Sequence, residues 1–165
     1  MTINVKASIT GSLSTTGDLS TVLATFASAV AEISYAQGSG AAEADKAFAD
    51  TRTLAASTTE DLDLAGSMTG IDGLTFAPAK VKAILVIAAA GNTNDVHVGG
   101  DANGLAGLFG NVNDLIVVKP GGAFLWAAPS GGLTVTAGTG DILQVANSSS
   151  GSSVTYSIVI IGASA

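Results

Sequence analysis

His97 is the one histidine in a chain of 165 residues that contains no cysteine. A single copy therefore cannot build a thiolate zinc site, a disulfide framework, a two-histidine metal site or a conventional cysteine–histidine pair. Oxygen ligands are more plentiful. Asp95, Asp101, Asn103 and Asp114 fall in glycine-rich stretches and are of the type that calcium takes, yet their spacing matches no calcium-loop motif. Glu60, Asp61 and Asp63 in "TEDLDLAG" bring carboxylates together, the raw material of acid–base chemistry. Asp61 and Asp63 alternate with Leu62 and Leu64, however, which is the pattern of a strand with one wet face. His97 shares the polar phase of its own alternating run with Asp95 and reads as a solvated face residue. The glycines of "VGGDANGLAGLFG" and "TAGTGD" lack the Lys-Ser/Thr ending and the following helix of a phosphate loop, and no G-x-S-x-G elbow presents a nucleophilic serine. The sequence thus predicts a protein that is not an enzyme, with no catalytic residue, cofactor or metal ligand.

The elements around these residues explain the pattern. From about residue 50 onward, glycine, proline or asparagine clusters recur about every ten residues and bound short segments rich in valine, isoleucine, leucine and threonine. Such residues suit a pleated, packed surface, and the punctuation predicts an all-β sandwich or barrel. Strands are expected at 51–56, 60–64, 74–77, 81–88, 95–98, 115–118, 123–127, 133–137, 142–146 and 154–161. "VKAILVIAAA" and "VTYSIVII" begin by alternating and then turn apolar on both sides, as interior or subunit-contact strands do. "GDILQVANSSSGSSVTYSIVIIG", residues 140–162, reads as a terminal hairpin closed by a serine-glycine tip.

Three large side chains are singled out as contact residues. Leu108 and Phe109 lie in the loop-like "GLAGLFGNVND", and a loop seldom buries two large groups without a partner. Trp126 shares a strand face with Phe124 just after the turn "VKPGGA"; filling the core and anchoring a contact are both open to it.

The first forty residues differ. "DLSTVLATFASAVAEISYAQG" is alanine-rich, and Val22, Leu23, Phe26, Val30 and Ile33 fall at three- and four-residue steps, which predicts a helix from Ser20 to Ile33 capped by Asp18 or Ser20. An extended arm is the rival reading. "AQGSGAAEADKA", 36–47, reads as a hinge, which divides the chain into an N-terminal arm or helical segment at 1–40 and a β domain at 41–165.

Apolar residues make up 47% of the chain and charged ones 12%, too thin a charge to solvate a solitary monomer well, so much of the surface is expected to face protein. The net charge of −7, scattered along the chain, offers no footprint for nucleic acid or anionic lipid. "MTINVKASITGS" lacks the pattern of a signal peptide, and the longest apolar runs, 83–91 and 157–163, fall well short of a spanning helix, so no membrane partner is expected.

Four passages, "DTRTLAASTTEDLDLAG" (50–66), "VKAILVIAAAGNTNDVHVGGDANG" (81–104), "DLIVVKPGGAFLWAAP" (114–129) and "VTAGTGDILQVANSSSGSSVTYSIVIIG" (135–162), together resemble a group of small structural proteins of tailed bacteriophages and prophages. The resemblance covers 50–162 and implies a virion component, with no site residues to carry over. Within that group it points to a capsid decoration, or cement, protein: a jelly-roll sandwich of about eight to ten strands with an N-terminal arm or short helix. Its partners would be the major capsid protein and copies of itself, as a trimer about a local threefold axis. Its place would be the virion surface, after synthesis in the host cytoplasm. A tail or head-fibre protein is the alternative within the class. A carbohydrate-binding module is the alternative outside it, with only Trp126, Tyr35 and Tyr156 to stack on sugars.

Overall fold

The computed structural model describes residues 2–16, 21–66 and 68–165, with the side chains of 13–28 outside that description. Among the described residues there are fourteen strands and no helix. In chain order they are β1 (Ile3–Thr16), β2 (Thr21–Gln37), β3 (Glu43–Ala44), β4 (Lys46–Leu54), β5 (Thr59–Asp63), β6 (Met68–Thr69) and β7 (Thr75–Phe76). There follow β8 (Lys80–Ala88), β9 (Val96–Gly99), β10 (Leu115–Val118), β11 (Ala123–Ala127), β12 (Leu133–Thr134), β13 (Ile142–Asn147) and β14 (Val154–Ala163).

Two antiparallel sheets face each other. One has the order β4–β14–β8–β11, with β12 pairing on β8, and the other β5–β13–β9–β10. Alternation along the strands sends Ile84, Val86, Ile158 and Ile160 of the first sheet and Leu62, Val98, Leu143 and Val145 of the second into one core. The pairing is nested: β4 with β14, β5 with β13, β8 with β11 and β9 with β10. Phe48 and Phe76 close one end of the core, their ring centroids 5.9 Å apart.

The serine-glycine tip joins two sheets, not two strands of one hairpin. β13 pairs with β5 and β9, whereas β14 pairs with β4 and β8. The reason lies in the burial on both sides of the tip. Leu143 and Val145 before it, and Val154, Tyr156 and Ile158 after it, all reach the shared core, which they can do only from opposite walls. The arch is held by two asparagines. Asn94 Nδ2 donates to Asn147 Oδ1 at 2.9 Å and to the carbonyls of Ser149 and Ser152 at 3.0 Å. Asn147, buried, donates to the carbonyls of Ser152 (2.8 Å) and Ala55 (3.0 Å). The carbonyls of Ser149 and Ser152 are thereby satisfied without a ladder.

The helix expected over Ser20–Ile33 is instead strand from Thr21 onward, and the capping candidates Asp18 and Ser20 lie outside the described residues. β2 runs antiparallel to β1 with Ile3 opposite Tyr35, Val5 opposite Ile33 and Ala7 opposite Ala31, and a bulge between Ile9 and Gly11. Alanine has no strand preference of its own, so the cross-strand partner decides the conformation here. The segment 36–47 is likewise no featureless hinge. Glu43–Ala44 adds a short parallel strand to β2, Ala44 is fully buried, and β4 starts at Lys46.

The base of this β1–β2 ribbon is tied to the first sheet. The Tyr35 hydroxyl donates to the Lys82 carbonyl at 2.9 Å, and the Ala42 amide donates to the Pro129 carbonyl at 2.8 Å. Ile3, Val5, Ile33 and Tyr35 pack with Ala83, Ala127, Val159 and Ile161 on the outer face of that sheet, forming a second, smaller core. This is why β8 and β14 read as apolar on both faces.

Candidate functional site

The carboxylates and amides that carry chemical potential are each occupied locally. Asp101 Oδ1 accepts from the Asn103 amide at 2.7 Å, Asp114 Oδ2 from the Asn111 amide at 2.8 Å, and Asp95 Oδ2 from Lys119 Nζ at 2.7 Å. Asp61 accepts from Gln144 at 2.8 Å, and Asp63 from the Ala65 amide at 2.8 Å. Among the described residues no three acidic or histidine side chains converge as a metal would require. These are turn-closing and cross-strand bonds, worth about 1 kcal/mol each.

Glu60 is different. It stands in phase with Leu62 on the inward face of β5, where its Oε1 accepts from Arg52 Nε at 2.6 Å and its Oε2 from the Tyr156 hydroxyl at 3.1 Å. Arg52 Nη1 also meets Asp50 at 3.3 Å. β4 and β5 are the edge strands of opposite sheets, so this cluster staples the open side of the sandwich. Beside it lies a groove of about 320 Å³ lined by Phe48, Asp50, Asp61, Leu62, Met68 and Thr69. With two carboxylates on one guanidinium, Arg52 keeps no surplus charge for an anionic ligand. The sequence signal for this cluster was a charged residue in the apolar phase of a strand, which demands a buried partner. The same signal marks Lys82, 1% exposed, whose Nζ reaches the carbonyls of Gly40 (3.4 Å) and Gly131 (3.5 Å) beneath the ribbon base. Burial, and then the charge of Lys80, hold that amine below its ordinary range.

Both tyrosines of the chain are buried, Tyr35 at 1% and Tyr156 at 0% exposed, so neither offers a ring to a sugar. Burial pushes the Tyr35 phenol up, against a weaker opposing pull from the Ala128 amide. It pushes Tyr156 well above the ordinary range, assisted by the Glu60 carboxylate. The folded state therefore prefers the neutral phenols. Their contribution to stability is complete below the unfolded value of about 10 and is lost as pH rises through the higher folded values. Phenolate absorbance is expected to stay silent in the folded protein through about pH 10 and then to appear together with loss of the near-ultraviolet dichroism. A phenolate signal at that pH from an intact fold would mean that the rings are not enclosed.

The three side chains expected to make contacts lie near one another in the fold without forming an isolated patch. Leu108 and Trp126 are half-buried and pack against the main core, and Phe109 tilts against Phe124 with centroids 5.9 Å apart. Phe109 is seated by Gly99, where φ is +103° and an added Cβ would stand 2.6 Å from the ring and from the Asp114 carbonyl. The larger apolar exposure is elsewhere, and no residue of it was singled out from the sequence. Leu115, Ile116 and Val117 are 44%, 37% and 42% exposed in a row on edge strand β10. Ile87 and Leu125 are open on the outer face of the first sheet, and Ile9 is open on the ribbon. The three consecutive apolar residues at 115–117 could have been read as such, because a strand that is apolar on both faces needs two covers. No described helix is long and apolar enough to cross a membrane.

No family model matches the chain, and no curated protein matches it. A solved structure described as "Bacillus endospore appendages form a novel family of disulfide-linked pili" is similar over 73% of this chain and 90% of that one, at a TM-score of 0.37 and 13% identity. A superposition that loose says nothing of a shared function.

Proposed function

We propose that the chain is a structural subunit of a bacteriophage particle, a decoration protein that binds the capsid shell as a homo-oligomer, about a local threefold axis, and braces it. The observation that carries this reading is the distribution of apolar and polar groups. Large aliphatic side chains stand exposed on strands β10, β8 and β11, while the carboxylates of the loops are turned onto their own backbone or onto neighbouring side chains. Exposed aliphatic strand surface suits lasting contact with other protein, and self-bonded loops suit a rigid part. The resemblance of 50–162 to phage structural proteins supplies the setting. We read the nested pairing of β4·β14, β5·β13, β8·β11 and β9·β10 as jelly-roll winding, which agrees with that setting.

The test is to mix the purified protein with shells that lack it. Saturable binding at about micromolar concentration is expected. It should be weakened by Val117→Glu, which charges an exposed edge-strand position opposite His97, on the face of β10 turned away from the core. Shells that stay bare at that concentration would remove the decoration role.

A further inference from the structure

The ribbon and the sheet beneath it each carry an unfinished half of one contact. Near the base, large ribbon residues (Ile3, Val5, Ile33, Tyr35) meet a sheet face on which Ala83 and Ala127 are small. Strand alternation and register put Ala7, Ile9, Ala29 and Ala31 on the same ribbon face further out. Ala7 and Ala31 line a gap of about 190 Å³ with Leu125 and Ala127 of the same chain, and beyond them Ile9 stands 69% exposed. The sheet's outer face continues too, now with large residues: Leu85 beside Leu125, and Ile87 one row beyond. Leu125 and Ile87 are 37% and 43% exposed. A groove of about 360 Å³ separates Ile3–Lys6 of β1 from Leu85, Leu125 and Val159. Where the ribbon is bulky the sheet is small, and where the ribbon becomes small the sheet becomes bulky.

We propose that a second copy of this chain completes the contact, its ribbon segment carrying Ala7, Ile9 and Ala31 lying in the groove over Leu85, Leu125 and Ile87. Three features select a second copy. The matching halves are on one chain, the new contact continues the intramolecular one along the same sheet face, and the charged residue that lines the groove, Lys6, is paired with Glu32 at 3.8 Å. β1 adds a backbone edge, since it pairs with β2 alone in the order β1–β2–β3. Ribbon and groove are different patches, so the contact is head-to-tail: it closes into a ring where the rotation allows and otherwise continues as a filament. The inference goes beyond the particle reading and does not require it.

The chain's lack of cysteine makes the test clean. Ile9→Cys and Leu125→Cys are made as separate proteins, mixed and oxidised. A disulfide-linked heterodimer in excess of either homodimer is expected. Wild-type protein should sediment as an oligomer at about 100 µM, and Ile9→Asp should weaken that association at least about tenfold with an unchanged circular dichroism spectrum. Four results would overturn the proposal: a wild-type monomer at that concentration, association indifferent to Ile9→Asp, Ile9→Cys linking chiefly to itself, or a doubly substituted chain that links only within one molecule. A monomer that floats with lipid vesicles would assign the ribbon to a membrane surface instead, and counts with the first of these. Shell binding by Ile9→Asp is measured separately, so loss of self-association and loss of the decoration role are told apart.

Discussion

Ile160→Ala is expected to lower the unfolding free energy by about 2–5 kcal/mol, a large share of the roughly 5–15 kcal/mol that holds an ordinary domain. Ile160 is fully buried at the centre of β14, opposite Ile84 of β8 on one side and Phe48 of β4 on the other. Truncation removes three carbons from the core, and hydrogen-bonded strands on both flanks prevent the walls from closing, so most of the cavity persists. Urea unfolding should show an earlier midpoint at an unchanged slope, because the surface exposed on unfolding is nearly the same. Val159→Ala, one residue away on the outer face beneath the ribbon, should cost clearly less, since Val159 is only partly buried. Equal losses at the two positions would mean that the ribbon contact is packed as tightly as the main core.

Gly162→Val is expected to cost about 3 kcal/mol, by overpacking where the first substitution underpacks. A Cβ at Gly162 would stand 2.5 Å from Cβ of Pro78 and 2.9 Å from the Lys80 carbonyl oxygen. Neither is the loose end of a side chain. The pairing of β14 with β8 shifts register at this point, and the Gly162 carbonyl accepts from the Asp45 amide at 3.2 Å. Relief of the clash must therefore disturb the bulge and the start of β4 together. Gly91→Ala is the control. An added Cβ there meets nothing within 4 Å, and stability should change by no more than about 0.5 kcal/mol. Thermal or chemical unfolding of the pair reads both, and a neutral Gly162→Val would show that Pro78 yields freely.

The sandwich was legible in the sequence because its strands carry their burial as alternation. Val96 and Val98 against Asp95 and His97, or Leu62 against Asp61 and Asp63, identify a wet and a dry face before any coordinates are known, and 81–88, 115–118 and 123–127 fall on observed strands. What a strand pairs with is not written locally. The segment 140–162 contains two strands and a serine-glycine tip whether they form a hairpin or an arch, and only the shared core decides between them. The ribbon was obscured by alanine. Val22, Phe26, Val30 and Ile33 fit a helical step, while Ala29, Ala31, Ile33 and Tyr35 equally fit a two-residue step; the partners that select the second, Ile9, Ala7, Val5 and Ile3, lie far earlier, in β1. The Arg52–Glu60–Tyr156 cluster was hidden for a similar reason. Arg52 and Glu60 each stand in the apolar phase of a strand, which signals a buried partner, but which partner depends on which edges of two sheets face each other.

The position of β14 also governs when the protein can mature. This strand sits between β4 and β8, yet it leaves the ribosome after every strand it joins. Until it arrives, its two neighbours have no ladder between them, and the aliphatic faces of both walls stay open to water and to other nascent chains. Folding is therefore committed only once residues 154–163 have been made and proceeds through distant pairings, which are slow to find. A product truncated before residue 154 is expected to accumulate as insoluble material, not as a smaller working part.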